Sequence, residues 1–177
     1  IYGAYTESGT VTGNEINIKG NNGTVPTFAD DLILYGGFSN NGGEVVGNKL
    51  NLYTKGISVG DIKNFDTYNF YLPENMAANE TVLTLKDNSG LDLSGSTVNI
   101  GVLGSAPLLK MDEEITLIHN EKGTITEGDV TYGKLQQGVS IVYDFETILK
   151  NEDHDLVSKV TNIAPVSYTH LTLPTIC

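Results

Sequence analysis

The chain has no arginine and no tryptophan, and its one cysteine is Cys177. All ten of its cations are lysines. It therefore lacks the planar, two-pronged guanidinium that best clamps phosphates and carboxylates. A formal net charge of −12 further disfavours nucleic acid, whose non-specific affinity comes from lysine and arginine on phosphate. A single cysteine leaves no internal disulfide framework. No apolar run is long enough to cross a bilayer as a helix. No G-x-S-x-G, Walker A or strand–helix GxGxxG pattern occurs, which removes the commonest hydrolase and nucleotide-binding signatures. The acidic balance reads as solubility, with weak capture of divalent cations by surface carboxylates as the sharper alternative.

What is present favours strands. Val, Ile, Thr and Tyr are spread along all 177 residues and separated by Gly, Asn and Asp, the composition of short pleated segments joined by turns. The length suits one domain burying roughly 70% of its unfolded surface.

The opening, IYGAYTESGTVTGNEINI, is written again 33 residues later as LYGGFSNNGGEVVGNKLNL. Ile1-Tyr2-Gly3-Ala4-Tyr5 aligns with Leu34-Tyr35-Gly36-Gly37-Phe38, Gly13-Asn14 with Gly47-Asn48, and Ile16-Asn17-Ile18 with Leu50-Asn51-Leu52. The second copy has one extra residue in its turn. Period-2 alternation gives each copy short strands with one apolar face, and the Gly-Asn pairs suit a corner with positive φ. A repeat of this kind predicts a solenoid, because one rung cannot bury its apolar face alone. The intervening NNGTVPTFADDL reads as a loop. Ser94–Gly101 is a fainter third copy, and further strands are expected around Tyr68–Leu72, Leu83–Leu85, Leu91–Leu93, Ile115–Leu117 and Val139–Phe145. PENMAANE reads as a single turn. Residues 1–106 are assigned to repeat rungs. Residues 107–164, which lose the Gly-Asn repeat, are assigned to a cap that hides the last rung's contact face.

The Y-G-x-[YF]-[ST]…G-N-x-[IL]-N-[IL] repeats, with YNFYLPENMAANETVLTL, LSGSTVNIG and EITLIHNEKG, resemble the C-terminal part of bacterial autotransporter (type V secretion) passenger domains. GVSIVYDFETILKNEDHDLVSKVTNI resembles the last strands before such a protein's membrane barrel. The resemblance implies a right-handed parallel β-helix with a C-terminal β cap. It implies display on the outer surface of a Gram-negative cell, or secretion, for adhesion or aggregation, with the cap nucleating folding during export. The implied partners are the protein's own outer-membrane β-barrel, lying beyond this sequence, and a host-surface or glycan ligand; no cofactor is implied. Residues 165–177, PVSYTHLTLPTIC, resemble a translated sequencing adapter and are set aside as a non-native tail.

Candidate chemistry is sparse. A secreted β-helical polysaccharide hydrolase or lyase is the alternative function. A hydrolase would need two carboxylates set across a sugar ring; Asp30-Asp31 and Asp153/Asp155 are pairs by sequence only, one in the presumed loop and the other in the turn-like NEDHD. A lyase would want guanidinium clamps that this chain lacks. His119 and His154 stand alone, without the tight ligand spacing of a metal site, and His170 falls in the adapter-like tail. No catalytic, cofactor or metal residue is assigned. Asn22-Gly23-Thr24 and Asn79-Glu80-Thr81 match the N-glycosylation pattern but are read as coincidence. Tyr2, Tyr5, Tyr35, Phe38 and Tyr53 recur at matched positions, as either an exposed sugar-stacking ladder or an internal stack. Alternation places Tyr2 and Phe38 on opposite faces, so at least half of the set is expected inside.

Overall fold

The computed structural model describes residues 1–102, 109–135 and 141–165. The described residues are all-β, without a helix, and form a β-solenoid of about four turns. The first rung carries β1 (Tyr5–Thr6), β2 (Val11–Thr12) and β3 (Glu15–Ile18). The second carries β4 (Ile33–Tyr35), β5 (Phe38–Ser39), β6 (Val45–Val46), β7 (Lys49–Leu52) and β8 (Ile57–Val59). The third holds β9 (Asp61–Lys63), β10 (Thr67–Leu72) and β11 (Thr81–Leu85), and the fourth β12 (Gly90–Asp92), β13 (Thr97–Val102) and β14 (Glu114–Asn120). A last partial rung adds β15 (Thr124–Thr126) and β16 (Thr131–Lys134) before the long hairpin of β17 (Ile141–Lys150) and β18 (Asp155–Pro165).

Two five-stranded sheets organise the stack. One runs β3-β7-β10-β13-β16, every neighbour parallel. The other runs β8-β11-β14 in parallel and then adds β18 and β17 antiparallel. Parallel pairing thus continues through β16, and apart from an isolated antiparallel bridge of Asn21 with Thr24, antiparallel pairing begins with the hairpin. Pro165, at the head of the adapter-like segment, pairs with Ile141; residues 166–177, His170 and Cys177 among them, and Val139 lie outside the described residues.

The repeat is the register. Tyr2 bridges Tyr35 and Tyr5 pairs with Phe38, an offset of 33; Val11 pairs with Val45 and Glu15 with Lys49, an offset of 34. The extra residue of the second copy therefore lies in the turn between β5 and β6. Gly13 and Gly47 take φ of 69° and 70° at the corner before each Gly-Asn strand, which costs glycine no Cβ clash. The 21–32 segment is a loop, and its Val25, Phe28 and Leu32 pack half-buried against the core.

Alternation decides which side chains are inside. Leu50, Leu52, Tyr68, Phe70, Val98 and Ile100 point into the stack from the first sheet; Ile57, Leu83, Leu85, Leu117 and Ile118 do so from the second. On the opposite face of the first sheet, Asn17, Asn51, Asn69 and Asn99 occupy one register column. Each amide donates to the previous one: Asn51 Nδ2 to Asn17 Oδ1 at 2.9 Å, Asn69 to Asn51 at 2.7 Å, and Asn99 to Asn69 at 2.9 Å. Asn51 and Asn69 are buried, so the ladder satisfies polar groups that would otherwise be costly to bury. It ends at Gly133, where a Cβ would meet Asn99 Oδ1 at 2.3 Å.

The hairpin closes the far end of the stack. Tyr143, Leu156 and Val160 are buried members of the core, and Ile141, Phe145 and Leu149 pack against it. Its turn uses Asn151, Glu152 and Asp153, three consecutive non-glycine residues at positive φ. Such strain persists where surrounding contacts hold it: Ile125 N–H donates to Asp153 O at 2.7 Å and Asn120 N–H to His154 O at 2.8 Å.

The ladder makes a graded prediction. Asn69→Ala strands the Asn51 carbonyl and the Asn99 amide inside the column and should cost about 2 kcal/mol or more. Asn17→Ala, at the exposed end, should cost less than about 1 kcal/mol. Chemical denaturation of both variants checks the order; equal losses would contradict a cooperative column.

Candidate functional site

Three places on the stack gather functional-type side chains. The first is aromatic. Tyr2 stacks on Tyr35, centroids 4.9 Å apart and planes within 14°, and Tyr5 on Phe38 at 5.8 Å and 12°. Edge-on contacts of 5.8 Å (Tyr2–Tyr5) and 5.5 Å (Tyr35–Phe38) join the two pairs. A second column stacks Tyr53 on Tyr71 at 4.4 Å and 7°, with Lys19 Nζ 4.9 Å from the Tyr53 centroid. None of Tyr2, Tyr5, Tyr35, Phe38 and Tyr53 belongs to the buried core, which corrects the expectation that at least half would lie inside. The reason is the corner. Gly3-Ala4 and Gly36-Gly37 separate the two aromatics of each rung, and parity counted along a straight strand does not carry across a bend. Gly36 is forced at that corner, because a Cβ there would sit 2.3 Å from Asn64 O. The column is not a ready sugar platform either. Stacking between rungs uses the ring faces that a sugar would need, and Lys63 Nζ stands 6.0 Å over the Tyr35 ring.

The second place is the seam where the hairpin meets the parallel sheet. His119 of β14 pairs with Asp155 of β18 through Nδ1 and Oδ1. His154 Nδ1 lies 3.0 Å from Asn120 O, and Asn151 Nδ2 donates to Asp155 Oδ2 at 3.3 Å. The two histidines, solitary in sequence, are therefore brought to one seam, where the Asp155 carboxylate is already engaged. Asp153 is exposed and lends its backbone oxygen to Ile125. Asp30 and Asp31 are exposed in the 21–32 loop, packed on the Gly60 backbone. None of these four aspartates lines the cleft between β9 and β12. At the other end of the hairpin, Lys134 of β16 pairs with Asp144 of β17, which also accepts from Asn162 at 3.2 Å. These bonds hold the Asp144 carboxyl below its ordinary value.

The third place is a cleft of about 300 Å³ lined by residues 61–65, Tyr68 and residues 88–92. It opens where the solenoid's third face is broken. β4 pairs with β9 and β12 with β15, but β9 and β12, although consecutive in the stack, do not pair. Side chains bridge the break instead. Asp61 Oδ1 accepts from Ile62 N–H at 2.7 Å and from Asn88 Nδ2 at 2.5 Å, and Asn88 Oδ1 accepts from buried Asn120 at 2.7 Å. Asp92, at the rim, accepts from Ser94 N–H at 2.9 Å, and its hydrogen bonds with Ser94 lower its pKa. A glycosidase acid needs the opposite shift. Sequence reasoning missed this cleft because Asp61 and Asn88 look like ordinary turn residues whose partners lie one rung away.

Searches of protein-family models, of curated proteins and of solved structures found no match to this chain.

The seam carries a pH prediction. Because Asp144 is depressed in the folded state, its stabilisation is complete above the ordinary aspartate value of 3.8 and is lost as pH falls through the depressed one. Relative to intrinsic exchange, the protection of the β17 amides should fall as pH drops below about 3.8. Asp144→Asn should lose most of that fall; an unchanged fall would contradict the assignment.

Proposed function

We propose that this chain is a non-catalytic piece of a surface-displayed solenoid, of the autotransporter-passenger kind, serving adhesion or aggregation. The observation that carries the reading is the one-ended architecture: a parallel stack whose far end is closed by an antiparallel hairpin packed into the core. An extracellular rod needs such a closed end, since an open rung would offer its edge to any strand. The hairpin is also a plausible folding nucleus for export, because its pairing is local, whereas each rung waits for its neighbour. A stack stabilised by side-chain ladders, without a disulfide framework, suits passage through a pore as an unfolded chain. The acidic surface and missing arginine fit a soluble rod that avoids nucleic acid.

The test is display. The chain, fused ahead of an outer-membrane β-barrel in a Gram-negative host, should be digested by protease added to intact cells. Removing residues 141–165 should reduce surface-exposed chain severalfold while leaving the barrel inserted. Undiminished display without the hairpin would overturn its role in export, and periplasmic retention of the intact fusion would overturn the passenger reading.

A further inference from the structure

We propose that the cleft between β9 and β12 is a saccharide-binding notch. The proposal deepens the adhesive reading by naming a ligand class and a place for it, and it stands on three features of the break. First, the two large sheets on either side stay paired, β10 to β13 and β11 to β14. The third and fourth rungs are therefore held one strand spacing apart, about 4.8 Å. A peptide strand cannot enter the break, since that needs twice the spacing, and a partner adding a strand is excluded. A ligand can only lie across the outside of the break, against the side chains that line it.

Second, the lining is mixed in sign and almost wholly polar. Asp92 offers an exposed carboxylate, Lys63 an ammonium and Ser89 a hydroxyl, while Asn64 Nδ2 is committed to Gly37 O and the buried Asn88 side chain to Asp61 and Asn120. Phe65 and Tyr68 line the floor but are buried, so no broad apolar wall is offered to an aromatic ligand. Carboxylates beside a lysine repel a phosphate, and the lysine repels a polyamine. An ammonium and a hydroxyl that donate, beside a carboxylate that accepts, suit sugar hydroxyls, each both donor and acceptor.

Third, the groups are pre-set. Asp61 is largely buried, fixed by Ile62 N–H and Asn88, with Lys63 Nζ 3.8 Å from its other oxygen. Asn88 is anchored in turn by Asn120. For Asp61 and Asn88, little side-chain entropy remains to be lost on binding. A monosaccharide has few atoms and leaves part of itself in water, so millimolar affinity per site is expected. Many copies displayed on one cell would raise the effective strength.

The experiment is a ¹H–¹⁵N NMR titration of the purified chain with D-galactose, D-mannose and N-acetyl-D-glucosamine, and separately with calcium chloride. At least one sugar should give saturable shifts confined to the amides of residues 61–65 and 88–92. Asp92→Ala and Lys63→Ala, both outside the asparagine ladders, should each weaken that sugar about tenfold while their spectra elsewhere stay folded. No saturable shift with any sugar overturns the proposal. So do undiminished affinity in both variants and a response to calcium alone. Export plays no part in this measurement, so its failure leaves the display reading standing, and failed display would leave the notch untouched.

Discussion

Each rung of this protein has an apolar side that only the rungs above and below can cover. The stability of any one coil is therefore a property of its neighbours. Hydrophobic contact alone would tolerate slippage along the strands, but a one-residue slip would turn Leu50, Phe70 and Ile100 outward and Asn51, Asn69 and Asn99 inward. The asparagine column turns that preference into a lock. A buried amide satisfied only by its counterpart one rung away has no good alternative register. The same device recurs on a smaller scale where Asn14 N–H and Nδ2 donate to Asn48 Oδ1, at 2.9 and 3.0 Å, and where Asn120 donates to Asn88.

Once the strands are locked, the segments between them are free to vary. The spacing between successive column asparagines is 34, 18 and 30 residues, and loop-closure entropy grows slowly enough with length to permit it. That freedom explains what could and could not be read from the letters. The opening pair of rungs was legible to the residue, Tyr2 against Tyr35 and Asn17 against Asn51, because both copies carry nearly equal loops. The third rung was not recognised as a copy. Its Tyr68-Asn69-Phe70 keeps the apolar–Asn–apolar triplet, but it arrives 18 residues after Asn51 and without a preceding Gly-Asn. A search for the triplet at any spacing would have found it.

Features that depend on corners or on distant partners were illegible for a physical reason. Alternation predicts faces along a strand and loses its phase at a bend, so the aromatics around Gly3 and Gly36 were misplaced. His119 and Asp155 meet only through antiparallel pairing of β14 with β18, and nothing local in either segment announces that pairing. The cleft arises from a missing pair, β9 with β12, in an otherwise regular stack. Such an interruption leaves no local mark. Ladders hold the stack together, and the third face is interrupted where β9 and β12 do not pair.

Stacking in register is most directly tested by cysteine pairs on the outer face, in a background carrying Cys177→Ser. Lys49, Thr67 and Thr97 belong to one column, so neighbours lie about 4.8 Å apart and second neighbours about twice that, beyond disulfide reach. The K49C/T67C and T67C/T97C pairs should each close under mild oxidation, and K49C/T97C should not. Closure of the 49–97 pair with both neighbouring pairs left open would contradict the stack.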